Sequence, residues 1–106
     1  MAETFKNQQS NPLAATLTDL YTVPGTTSAT AHVYVANRSA TATSFRLAVA
    51  PLGAVDALTH YIAYDVDIAG NESKDFTGLL LIATDKIRVL ATLATLTFSA
   101  FIVEVT

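Results

Sequence analysis

The chain has 106 residues, enough for one domain and too few for two. Apolar residues make up 51 % and charged residues only 14 %, which excludes a disordered chain. Net charge is −3, with six Lys and Arg scattered along the length, which argues against a nucleic-acid binder, and with no cysteine there are no disulfides or thiolate metal sites.

Residues 1–12 are polar, end at Asn11-Pro12 and show no apolar period. They read as a flexible arm, or as a segment that orders only against a partner. The segment Met1–Ser10 also lacks the apolar core of a signal sequence. The longest unbroken apolar run, Leu79–Ala83, is far short of the roughly 20 residues that span a bilayer. The expectation is a mature, soluble protein made in the cytosol, with no membrane partner.

From Leu13 onward the pattern is β, and residues 13–106 read as one domain. Leu13–Val23 is a first strand, broken near Thr18-Asp19, and Pro24-Gly25 marks a turn. Ala29, Ala31, Val33 and Val35 then share a face, and Asn37–Ala40 turns the chain. Phe45, Leu47 and Val49 form the next inward row, and Pro51-Leu52-Gly53 ends it.

His60–Ala69 shows the clearest alternation. Strict period two puts Ile62, Tyr64, Val66 and Ile68 inward and Tyr61, Ala63, Asp65 and Asp67 outward. Gly70-Asn71 turns the chain into Lys74–Ile82, whose apolar end reads as a strand buried on both faces. Thr84–Lys86 is a turn before the inward row Ile87, Val89 and Ala91. In the last strand Leu96, Phe98, Ala100 and Ile102 share one face, and Phe101, Val103 and Val105 share the other. Phe98 and Phe101 therefore predict a bulge or change of sheet near Ala100, or a second face buried by another subunit.

These segments give seven or eight strands at short spacing and no amphipathic helix. The fold class is all-β: an antiparallel two-sheet β-sandwich or a small jelly roll. Parallel pairing would need crossovers longer than these connections.

Groups that could carry catalysis are sparse. His32 and His60 fall in strand positions and read as exposed or interface residues. No serine lies in a Gly-x-Ser-x-Gly elbow, and the four glycines are too far apart to cradle a phosphate. The chain is expected to be no enzyme and to use no cofactor. Asp65 and Asp67, about 6–7 Å apart on one strand face, suit salt bridges to an arginine on a neighbouring strand or subunit. They suit Ca²⁺ less well, because it takes about six to eight oxygens, several from loops. Arg46 and Arg88 also point outward, and Arg38 sits in the Asn37–Ser39 turn. Arg38, Arg46, Asp65, Asp67 and Arg88 are thus the candidate interface residues. Tyr61 and Tyr64, on opposite faces of a regular strand, would not form one sugar-stacking platform.

Ala (18) and Thr (16) supply about a third of the chain. A surface this poor in charge suits faces covered by neighbours. The segments Leu20–Gly25, Val35–Ser39, His60–Asp65 and Leu96–Phe101, with Val103 and Glu104 closing the last, resemble small β-sandwich structural proteins of tailed bacteriophages. The resemblance spans residues 20–106. It implies a virion building block made in the host cytoplasm: a capsid decoration (cement) protein, or a small tail, neck or fibre module, the latter with a host glycan as a candidate ligand. It implies two partners, the major capsid protein and further copies of this chain as a homo-oligomer such as a trimer, and it brings no catalytic residues.

Overall fold

Apolar residues at period two give each strand one face to bury. The computed structural model describes residues 2–106 and contains eight strands. They are β1 (Glu3–Ser10), β2 (Thr18–Thr22), β3 (Ser28–Asn37), β4 (Thr43–Ala50), β5 (Tyr61–Ile68), β6 (Ser73–Leu81), β7 (Lys86–Ala91) and β8 (Leu96–Val105). Two 3₁₀ turns, Pro51–Gly53 and Leu58–His60, lie between β4 and β5. One sheet runs β1-β8-β3-β6 and the other β2-β7-β4-β5, with antiparallel pairing throughout. Strand 1 pairs with 8, 2 with 7, 3 with 6 and 4 with 5. The chain is one long hairpin rolled into two layers, which is the jelly-roll winding of a β-sandwich. The all-β, two-sheet architecture expected from the sequence is the one observed.

The four central strands carry the core. Ala31, Val33 and Val35 of β3, Phe45 and Leu47 of β4, Ile87 and Val89 of β7, and Leu96, Phe98 and Ala100 of β8 are all fully buried. Phe45 and Phe98 meet edge-to-face across the layers at 6.1 Å, and Phe76 of β6 meets Phe45 at 5.9 Å. Edge-to-face contact aligns the positive ring edge with the negative face.

The outer strands depart from the sequence reading. Residues 3–10 of the expected arm form β1, paired in unbroken register with β8; Met1 lies outside the described residues. No side chain of β1 is buried, so the strand needs no apolar period and the sequence shows none. The expected first strand shrinks to Thr18–Thr22, because residues 13–16 turn instead, with Ala15 at φ 54°.

On β5 alternation places Val66 and Ile68 inward correctly but fails at Ile62 and Tyr64. Val66 pairs with Phe45 but Ala63 with Leu47, so β5 holds one residue more than β4 over this stretch, and Asp65 takes up the excess at φ 51°. A second irregularity follows between the pairs Leu47–Ala63 and Ala48–Tyr61. Each bulge reverses the parity of the strand. Ala63 is therefore buried at 4 % exposure, while Ile62 (47 %) and Tyr64 (48 %) face solvent.

The strand β6 is not buried on both faces. It is a sheet edge, and Leu80 and Ile82 are exposed. Gly78, at φ +73°, supplies a bulge that turns both Phe76 and Leu79 inward. The bulge expected near Ala100 is absent. β8 lies between β1 and β3 in continuous register with both, so Phe98 points in and Phe101 points out, edge-to-face on Tyr34 at 5.6 Å.

These face assignments separate two substitutions that strict alternation treats alike. Phe98→Ala is expected to cost about 3–5 kcal/mol through the cavity it leaves, and Ile62→Ala less than about 1 kcal/mol. Urea denaturation of the two variants measures both.

Candidate functional site

The β5 bulges build the most organised cluster on the outer surface. Asp65, displaced by its left-handed backbone, faces Arg46 of β4 and takes both guanidinium branches, Nε at 2.7 Å and Nη2 at 3.2 Å. Aspartate tolerates this backbone region better than most residues. The held guanidinium stacks over the Tyr64 ring, 4.0 Å from its centre. Tyr64 meets Tyr61 edge-to-face at 5.1 Å, and the Tyr61 hydroxyl donates to Asp56 Oδ2 at 3.1 Å. Exposed Leu58 completes a shallow cleft of about 300 Å³ with the two tyrosines. The Arg46 hydrogen bonds and charge hold the Asp65 carboxyl below its ordinary value. Burial, then the Asp56 carboxylate, raises the Tyr61 hydroxyl.

Of the candidate interface residues, Arg46 and Asp65 come together as a salt bridge between neighbouring strands. Asp67 is separate, on a wide open hollow with Ser44 and Thr92. Asp65 sits in the bulge between Ala63 and Val66, whereas Asp67 lies in the regular pair with Ser44. Among the described residues no group of three or more His, Asp or Glu is placed to hold a metal ion. Arg88 of β7 binds Asp19 at 3.1 Å and the Ala54 carbonyl at 2.7 Å, tying β2 and the β4–β5 loop to the sheet. Arg38 donates to Asn11 Oδ1 at 2.9 Å and to the Ala94 carbonyl at 3.3 Å, joining three segments at one end of the sandwich. His32 Nδ1 accepts from the Gly78 amide at 3.4 Å, and His60 lies in the 3₁₀ turn before β5 rather than in the strand.

Sequence reasoning missed two groupings. The Tyr61–Tyr64 pair is one, and it corrects the expectation that these rings lie on opposite faces. A strict period of two separates them, and with no glycine between them nothing in the sequence marks the bulge. The other is a buried polar clasp between the sheets. Glu104 of β8 is almost wholly buried, accepts a hydrogen bond from the Tyr21 hydroxyl of β2, and pairs with Lys6 of β1 at 3.1 Å. Burial alone would raise the Glu104 carboxyl; the Tyr21 and Lys6 interactions outweigh it and hold it below its ordinary value. Burial, then Glu104, pushes the Tyr21 hydroxyl far above its own. The lone acidic residue in an apolar final strand was the available signal, because a charge at an inward position needs a partner.

Comparison with models of known protein families gives no match, and comparison with curated proteins gives no significant match.

The clasp predicts a pH dependence. A carboxyl held low in the folded state stabilises it above the ordinary carboxyl range, and that stability is lost as pH falls through the lower folded value. The stability gap between the wild type and Glu104→Gln should therefore narrow from about pH 7 to about pH 3. Tyr21→Phe, which leaves Glu104 short of a buried donor, should cost about 1–3 kcal/mol at neutral pH. Denaturant titrations across pH check both.

Proposed function

We propose that this protein is a structural component of a tailed-bacteriophage virion, a capsid decoration (cement) protein. On this reading it assembles with copies of itself on the major capsid protein and stabilises the coat lattice. The observation that carries the reading is the surface. Leu80 (81 % exposed), Val55 (88 %), Phe5 (78 %), Leu58 and Leu52 all project outward from a domain of 106 residues. Meanwhile Arg46, Arg88 and Lys86 are engaged by carboxylates of the same chain. A small domain that leaves large apolar side chains outside while these cations are paired with its own carboxylates suits a surface that neighbours cover.

Two further lines support the reading. One is the resemblance over residues 20–106. The other is the jelly-roll winding, which recurs in viral capsid and lectin domains and adds support only as an analogy of fold.

The Tyr61–Tyr64 pair favours a second reading, a tail or fibre module that binds a host glycan. Sugar recognition uses aromatic rings beside a few fixed polar groups, and here Arg46, Asp65 and Asp56 are fixed next to the two tyrosines.

Mass spectrometry of purified particles tests the first reading. A fixed stoichiometry to the coat protein is expected; a far lower copy number moves the protein to the tail, and absence from particles overturns the virion reading. A glycan array tests the second. Binding lost in Tyr61→Ala with folding intact supports it, and an array with no bound glycan overturns it.

A further inference from the structure

We infer that β1 is an exchangeable strand, which pairs with β8 of a second copy of this chain and so links the subunits of an assembly. The inference goes beyond the proposed function and does not depend on the particle in which the protein works.

Three observations carry it. First, β1 contributes nothing to the core. None of its eight residues is buried, and the core begins at Leu20. The strand is held by its backbone ladder to β8, by the Lys6–Glu104 ion pair and by the Asn11–Arg38 hydrogen bond. Its own eight side chains leave no buried position when it departs.

Second, what β1 leaves behind selects its own replacement. The outer edge of β8 would present an unpaired ladder from Phe98 to Val105, with Glu104 short of its cation. An open edge recruits a strand, and the segment that restores both the register and the Lys6 contact is Glu3–Ser10 of another copy. Pro12, the one buried residue before Leu20 among those described, would travel with β1 into the same seat on the neighbour.

Third, the connection is built to open. Residues 13–16 are exposed and return the chain through a single tight turn, in which Ala15 sits at φ 54°. A side chain with a Cβ is strained there. Two backbone hydrogen bonds hold the turn, Ala15 N to Ala91 O at 2.7 Å and Thr16 N to Leu13 O at 3.2 Å. Extending it would release the strain and carry β1 outward. Closed and exchanged forms share every strand contact, so hinge strain and concentration decide between them.

The chain has no cysteine, which makes cross-linking clean. Gln9 of β1 lies opposite Ser99 of β8. Two differently tagged full-length variants, Gln9→Cys and Ser99→Cys, are co-expressed and oxidised. The control pairs Gln9→Cys with Val55→Cys, an exposed position in the β4–β5 loop of the other sheet. The expected result is a mixed-tag Gln9–Ser99 disulfide several-fold above the control, reduced when both chains also carry Ala15→Gly, which relaxes the closed turn. A Gln9–Ser99 yield equal to the control overturns the exchange. An excess that Ala15→Gly leaves unchanged overturns the assignment of residues 13–16 as the hinge. Neither result alters the copy number in particles, so this inference and the virion reading fail separately.

Discussion

The structure depends on the burial of four apolar strand faces against one another. β3 and β8 from one sheet meet β4 and β7 from the other, and Phe45 against Phe98 fixes the contact between layers. These strands are flanked on both sides within their sheets, so their register is pinned twice. Burying a large side chain fully is worth about 1.5–3 kcal/mol, and a one-residue slip would turn a whole inward row to solvent. Only β4 departs from its expected row, because the register shift between Leu47 and Ala48 buries Ala48 and Ala50 and leaves Val49 half-buried.

The other four strands are sheet edges, and each is irregular or polar in its own way. β1 buries nothing, β2 and β5 carry register shifts, and β6 is bulged at Gly78. Bulges blunt an edge and re-aim its side chains. On β5 the re-aiming sets Tyr61 beside Tyr64 and Asp65 against Arg46. The irregular side-chain groupings thus lie where the core imposes least. The Glu104–Tyr21–Lys6 clasp joins the two regimes, because it fastens an edge strand of each sheet to central β8.

This division explains which parts were legible in the sequence. The rows Ala29–Val35, Ile87–Ala91 and Leu96–Ile102 are readable because a fully paired strand obeys period two and one side must be apolar. A salt bridge from Asp65 to an arginine is readable because few charges exist to pair, but the choice of Arg46 over Arg88 is not. Alternation reads Val66 and Ile68 of β5 but not the residues before them, since Asp65 adopts a left-handed backbone without being glycine. The run Leu79–Ile82 misleads because apolar content alone does not distinguish a central strand from an edge with an exposed apolar face. β1 is invisible because backbone pairing leaves no trace in side-chain pattern when neither face is buried.

The central proposal is that other chains cover the exposed apolar surface. Sedimentation of the full-length protein over a wide concentration range tests that claim most directly. The account predicts a discrete closed oligomer whose population follows mass action. A monomer at every concentration would contradict it.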